Sequence, residues 1–510
     1  MDTKALRQKI LDLAIRGKLI PQDPNDEPAS VLLERVRAEK QQMVKDGRLK
    51  AKDVKNDTVI FVGEDNLHYE KFADGTVKCI EDEIPFDVPE GWEWCRLKHI
   101  CTMAAGKAKP TNDIKQEPFE GCYPCFGGNG IRGYVDEYNH DGTYSIVGRQ
   151  GALCGNINIA SGKFYATEHA VVTTLFSGID FNWSNHTLEA LELNKYATGA
   201  AQPGLSVANV LNALVPVPPA CEQKRIGGVV SSAIALTEGI DLKKQELQSI
   251  IIQAKAKILD LAIRGRLVPQ SPDDEPASVL LERIRAEKEE LIKQGIIKRD
   301  KRESVIFRGE DNSYYETIDG DTASIDDKIP FDIPDNWGFA RLRSIYEVNP
   351  RNYVPDETPV SFVPMALIDD QFSGKFTFEI KPWKECKKGF TPFAENDVGF
   401  AKISPCFENR KSAIFNGLVS GYGAGTTELF ILRSSCNSVR SEYTLNFVKS
   451  GYFINRGKGT FSGVVGQQRI DKNLVLETIV PVPPVAEQVR ITERISQLFA
   501  LLDSIQSGLE

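Results

Sequence analysis

The chain lacks an excess of positive charge: across 510 residues, 62 Lys+Arg stand against 71 Asp+Glu, a formal net charge of −9. That balance excludes a histone-like protein that coats nucleic acid by bulk charge, but not a binder that works through local patches. No run approaches the ~18 consecutive apolar residues of a membrane span. The start, MDTKALRQKILDLAIRG, has neither the apolar stretch nor the cleavage site of a signal peptide. Together these make a cytoplasmic protein the expectation. Paired cysteine ligands are scarce as well. Of ten cysteines only Cys122 and Cys125 have ligand-like spacing, and a Cys2His2 set would need His140 and His169 from the same region. Reduced, packed thiols are the better reading, with no metal assigned. Catalytic signatures are also missing: there is no GxxxxGK[ST], HExxH, GxSxG or [ND]PP[YF] string. A loose D…ExK pattern, Asp369-Asp370 followed by Glu379-Ile-Lys381 and Glu385-Cys-Lys387, is of a kind that arises freely in charged sequence.

What the chain does have is an internal duplication. Residues 10–40, ILDLAIRGKLIPQDPNDEPASVLLERVRAEK, recur at 258–288 as ILDLAIRGRLVPQSPDDEPASVLLERIRAEK, identical at 26 of 31 positions. Shorter echoes follow: VIFVGEDN with VIFRGEDN, IPFDVPEGWEWCRL with IPFDIPDNWGFARL, and LVPVPPACEQKRI with IVPVPPVAEQVRI. Between the last two pairs lie two long segments that do not resemble each other. The resulting division is 1–83 for N-terminal helices and a strap, 84–218 for a first recognition insert, 219–328 for a central helix and second strap, 329–483 for a second insert, and 484–510 for a C-terminal helix. The straps, roughly 45–83 and 293–328, read as a small hairpin in each copy, with no role assigned.

Each VPVPP leads into a helix, since proline at a helix start lacks only an N–H that would be unpaired there. From Ile226 a 4–3 spacing selects Ile226, Val230, Ala233, Thr237, Ile240, Lys244, Leu247, Ile251, Ala254, Ile258 and Leu261, nine of the eleven apolar, and in the second copy Ile491, Ile495, Leu498, Leu502, Ile505 and Leu509. That is a coiled-coil seam. At ~1.5 Å per residue the segment 220–264 makes a rod of about 65 Å, with a kink conceivable at Gly239. Leu6, Ile10 and Leu13 continue the seam in phase with Ala254, Ile258 and Leu261. The first and last segments are therefore expected to form one split copy of the long helix, antiparallel to 220–264, in a circular arrangement with pseudo-two-fold symmetry. The helices beginning VLLERVRAEK and VLLERIRAEK read as solvated braces, with a partner-docking face as the alternative.

The inserts are short β-prone runs punctuated by Gly, Asn and Asp. The first contains YPCFGGNGIRGYVDEY (123–138) and the glycine-rich YATGAAQPGLSV (196–207); the second contains RGKGTFSGVVGQQR (456–469), basic with no acid. Arg suits guanine O6/N7 and Asn or Gln suits adenine N6/N7. That chemistry nominates Asn129, Arg132, Arg149 and Gln150 in the first insert, and Lys402, Arg410, Lys411, Arg456 and Lys458 in the second. Residues 329–483 hold 18 Lys+Arg against 16 acids, and 84–218 hold 9 against 13, so phosphate contacts in the first insert must be local.

On these strings, together with GRQGALCGN, ATEHAVV, DVGFAKISPCFENRKSA, GAGTTELFIL and VPVPPxxEQxRI, the chain resembles the specificity subunit of type I restriction–modification systems over essentially its whole length. The resemblance implies an α/β fold with two target-recognition domains, each a mixed twisted sheet with helices, joined by paired antiparallel coiled-coil helices. It implies no catalytic activity in this chain and no cofactor of its own; S-adenosylmethionine, ATP and Mg would be bound by partner subunits. Two methyltransferase subunits would dock on the helices, two restriction subunits would join them, and double-stranded DNA would be read as a bipartite site whose gap the helical rod sets. Two rivals are a single-chain restriction–methylation enzyme, for which motifs are missing, and a coiled-coil adaptor, which has no need of two dissimilar inserts.

Overall fold

A computed structural model describes residues 2–151, 153–198, 204–295, 297, 299, 302–434, 439–464 and 466–509, without the side chains of 52 and 53. Met1, Glu510, Val465 and positions 199–203 of the first glycine-rich run lie outside the described residues. The chain divides into two compact units, Met1–Lys244 and Gln245–Glu510.

In the first unit the insert is closed by its own two ends. Strand Glu93–Arg96 pairs antiparallel with Leu214–Val217, setting Trp94 opposite Pro216. Proline fits there because a two-stranded ribbon leaves one side of each strand free of ladder bonds. Inside lie two four-stranded sheets. One is antiparallel, in the order 157–160, 144–148, 170–175, 101–105; the other runs 130–135, 123–127, 163–166, 140–141, with 163–166 parallel to 123–127. Ile146, Phe164, Ala166, Ala170 and Val172 form part of a buried core within the insert.

The second unit repeats this plan from unrelated sequence. Gly338–Arg341 pairs with Ile479–Val482. The antiparallel sheet runs 412–414, 398–401, 429–434, 346–348, and the mixed sheet 379–382, 359–363, 422–425, 391–394, again with one parallel pair, 359–363 with 422–425. The two inserts thus share strand order and the place of the parallel pair, although no sequence match connects them.

Each strap forms a three-stranded antiparallel meander, 59–62, 68–71 and 77–79 in one unit and 304–308, 314–318 and 321–324 in the other, one strand more than the expected hairpin. An ion pair roots each: Glu70 with Arg96, and Glu316 with Arg341, both at 2.6 Å. The braces are the helices Ala29–Lys45 and Ala277–Lys293.

The long helix, Ala220–Ile263, runs unbroken through Gly239. In the first unit, helix Thr3–Ile15 lies antiparallel to it: Thr3 Oγ1 donates to Asp241 at 2.6 Å and Arg7 Nε to Thr237 at 2.7 Å. Leu11 and Ala14 pack into the same core as Ile226, Val230 and Trp183. The N-terminal seam is rotated from its expected phase. Leu6 is 38% exposed, whereas Thr3, Leu11 and Ala14 are buried. The polar pairing of Thr3 and Arg7 with Asp241 and Thr237 turns that face inward. In the second unit, helix Val485–Ser507 carries Ile491 and Ile495 into a core with Leu259, Ala262 and Ile263, and Lys255 pairs with Asp503. Along the long helix, Ile226, Val230 and Ile251 are buried, and Ile240, Leu247, Ile258 and Leu261 are half-buried, as are Leu498 and Leu502 on the C-terminal helix. No helix among the described residues is long and apolar enough to cross a membrane.

Candidate nucleic-acid interface

The start of the long helix and of the C-terminal helix is locked by the EQ of each VPVPPxxEQ string. Glu222 accepts from Trp92 Nε1 at 3.0 Å, and Glu487 from Trp337 Nε1 at 2.9 Å. Burial raises the pKa of both carboxyls, against the lowering effect of these hydrogen bonds. Gln223 bonds Asp180 N and Pro218 O; Gln488 bonds Arg440 N and Pro483 O. The glutamines thereby tie each insert's helix (Phe181–Ala190 or Ser441–Lys449) to the frame.

At the opposite end of the antiparallel sheet, loops gather around the end of the central strand. In the first insert, Arg149 follows strand Tyr144–Gly148. Its N–H donates to His169 O at 2.9 Å, and its carbonyl accepts from Leu205 N at 2.8 Å. In the second insert, Lys402 follows strand Val398–Ala401. Its N–H donates to Glu428 O at 2.9 Å, and its carbonyl accepts from Ile470 N at 3.0 Å. Bridges continue the match, Gln150 with Gly204 and Ile403 with Arg469. A cation thus occupies the same backbone position in both inserts, fastened on one side to the loop before the neighbouring strand of the sheet and on the other to a residue at the far end of the glycine-rich run, Leu205, or just beyond it, Ile470. The close fit uses glycine: a Cβ on Gly148 would stand 2.0 Å from Gly128 O.

Around Arg149, Asn129 and Gln150 are exposed, and Arg132 is exposed with its guanidinium on Thr111 Oγ1 at 2.8 Å. Asn129 accepts from Asn156 at 3.2 Å. In the second insert the nominated cations divide. Lys402 is half-buried, with its ammonium 5.7 Å from the Phe430 ring centre. Lys458 is exposed and pairs with Glu408 at 3.2 Å. Arg456 is half-buried, and its Nε has no hydrogen-bond partner among the described residues. Arg410 and Lys411 are engaged by their own fold: Arg410 Nε donates to Lys449 O at 3.0 Å, and Lys411 Nζ to Ile368 O at 2.8 Å. Burial lowers the pKa of Arg410.

Sequence reasoning missed several residues here. Arg469 grips Glu428 with two bonds of 2.9 Å at the base of the second glycine-rich loop. Lys449, fully buried, donates to Gln371 O at 2.9 Å and Arg410 O at 3.0 Å, tying two loops together. A backbone carbonyl leaves no trace in sequence, so neither tie could be read there. On the helices, Leu236 (71% exposed) and Leu242 (60%) in the first unit and Leu501 (62%) in the second point away from their cores. The acid–lysine pattern of the second insert is taken up in ion pairs, Lys381 with Glu379 at 3.0 Å and Lys387 with Asp356 at 2.7 Å. Among the described residues, no group of three or more His, Cys, Asp or Glu side chains is placed to hold a metal.

Residues 89–250 match the family described as type I restriction modification DNA specificity domain. The chain is 44% identical over 250 residues to the type I restriction enzyme EcoAI specificity subunit of Escherichia coli, and 42% identical over 250 residues to the EcoEI specificity subunit of the same organism. Each alignment covers 49% of this chain and 39% of the relative, so the match spans about two-fifths of the relatives' length. The solved specificity subunit of Thermoanaerobacter tengcongensis aligns over 84% of this chain and 95% of its own, at 15% identity and a TM-score of 0.36, too distant to bear on the fold described above. The sequence matches are thus to type I restriction–modification specificity subunits, the family that the sequence resembles.

Proposed function

We propose that this chain, with its type I restriction–modification DNA specificity domain, is the non-catalytic sequence-reading subunit of such a complex. Each insert reads one half of a bipartite double-stranded DNA site. The observation that carries this reading is the equivalence of Arg149 and Lys402. Two inserts without sequence similarity share one topology and hold a cation at one backbone position, as expected where a common scaffold presents two different reading surfaces. Phosphate contacts fix register, and base-edge contacts select sequence. Asn129, Arg132 and Gln150 are the exposed base-reading candidates of the first insert, and Arg456 and Lys458 those of the second; Arg149 and Lys402 hold phosphate. Arg410 and Lys411 act mainly by holding its loops.

In this reading two methyltransferase subunits dock on the helices, for which the outward-facing Leu236, Leu242 and Leu501 are suited, and two restriction subunits complete the complex. Those partners bind S-adenosylmethionine, ATP and Mg, and methylate adenine N6 after flipping the base from the stack. The helical frame sets the gap between half-sites. The test is to co-express the chain with its cognate methyltransferase subunit and map methylated adenines genome-wide. The expected result is a motif of two specified blocks around an unspecified gap; a continuous short motif, or none, overturns the reading.

A further inference from the structure

Three polar side-chain atoms at the loop end of the first insert are buried without a hydrogen-bond partner among the described residues: Asn158 Nδ2, Thr167 Oγ1 and Glu168 Oε2. Burying a donor or acceptor unpaired costs its desolvation with nothing in return. Native proteins keep few such groups, and each calls for an explanation. Here they converge. Thr167 and Glu168 belong to the loop whose next residue, His169, accepts the Arg149 N–H. Asn158 lies on strand Ile157–Ala160, against the Gly128–Gly130 turn, where a Cβ on Gly130 would stand 3.2 Å from Asn158 Oδ1. The same turn meets the other loops, since a Cβ on Gly128 would come within 3.3 Å of His169 O and 3.4 Å of Gln150 O. Glu168 itself is half-buried, and its other carboxylate oxygen lies 3.4 Å from His169 Nε2. The unpaired set is a free amide N–H, a hydroxyl and a free carboxylate oxygen, beside the cations assigned above to DNA.

We propose that Glu168 and Asn158 are base-reading residues of the first half-site, Glu168 accepting from the exocyclic amine of a cytosine or adenine and Asn158 donating through Nδ2 to a purine N7. Carboxylates accept from cytosine N4, and Asn pairs with the adenine major-groove edge; an acidic acceptor also repels phosphate and so favours a base edge over the backbone. This rests on the DNA-reading function proposed above.

The test is selection from randomised duplexes by the full chain in complex with its cognate methyltransferase subunit, comparing wild type with Glu168→Ala, Glu168→Gln and Asn158→Asp. The last two are near-isosteric and guard against a folding defect. In the expected result, each variant loses roughly tenfold preference at one position of one half-site, with the other half-site and the gap unchanged. A duplex whose amine is removed at the Glu168-dependent position weakens wild type and leaves Glu168→Ala indifferent. A wild-type bipartite motif with the same preferences in all three variants overturns this inference alone. A wild type that selects no sequence overturns the DNA-reading function and this inference with it.

Discussion

The indole Nε1 of Trp92 donates to the Glu222 carboxylate at 3.0 Å, joining the residue just before strand Glu93–Arg96 to the long helix that leaves the first insert. Both partners are buried, and Gln22 adds a second donor at 3.3 Å. A hydrogen bond to a charged group contributes about 1.5–3 kcal/mol, so Trp92→Phe is expected to destabilise by at least that range in urea unfolding. The pH dependence has a definite sign. Burial raises the Glu222 pKa in the folded state, so its protonated form contributes stability at acid pH that is lost as pH rises through the folded value. Glu222→Gln is therefore expected to flatten the fall in unfolding midpoint between acid and neutral pH, and an unchanged slope would contradict it.

Arg149 and Lys402 are expected to act in parallel and independently. Arg149→Ala should weaken binding across all sequences and lower the salt slope by about one, and so should Lys402→Ala, because each removes about one phosphate contact. Measured by titration at several salt concentrations, the double variant should show the sum of the two changes. Arg132→Ala should instead cost ~1–3 kcal/mol and relax a single position of the site.

Gly148 allows the closest approach in the first insert. Gly148→Ala places a methyl 2.0 Å from Gly128 O, a backbone atom that has no rotamer to yield. Overpacking of this kind costs about 1–3 kcal/mol. The variant is expected to unfold earlier in urea and to lose recognition of one half-site while retaining the other.

Lys449 is a buried cation whose bonds all go to backbone carbonyls in the surrounding loops. Desolvation lowers its pKa from 10.5 to about 7, with Arg410 adding to the shift and Asp370 and Asp369 opposing it. The unfolded chain binds the proton more tightly over that interval, so this group's contribution to stability increases as pH climbs from about 7 towards 10.5 and is lost as pH falls through about 7. Lys449→Met is expected to remove that rise in stability, as read from urea midpoints across the interval.

Exchanging residues 84–218 for another insert of the same topology should change one half-site only. Lengthening the long helix should change the gap and leave both half-sites as they are. Methylated-adenine maps of cells carrying each variant read both outcomes.

The repeated frame was legible because identity at 26 of 31 positions needs no structure to be seen. Legible too were the brace helices and the burial of Ile226, Val230 and Ile251 on the long helix, since apolar spacing is a property of the string. The phase of the N-terminal helix was not. Leu6 fits the apolar spacing, yet Thr3 and Arg7 find polar partners at 237 and 241, and a helix can rotate by one residue to meet them. Nor could charge alone sort the nominated cations. Arg410 and Arg132 are the same residue type in loop-forming sequence, but one meets the Lys449 carbonyl and the other a surface hydroxyl.

By itself, then, the sequence determined that two near-identical frames enclose two unlike inserts, and that the chain's charge does not suit it to bulk binding of nucleic acid. Covalent order and composition suffice for both. The tertiary structure alone decided that the unlike inserts share one strand order, that Arg149 and Lys402 are equivalent, and that Asn158 Nδ2 and Glu168 Oε2 have no hydrogen-bond partner among the described residues. Strand pairing joins residues by backbone hydrogen bonds that nearly any side chain permits, so equal topology can arise from sequences with nothing visible in common.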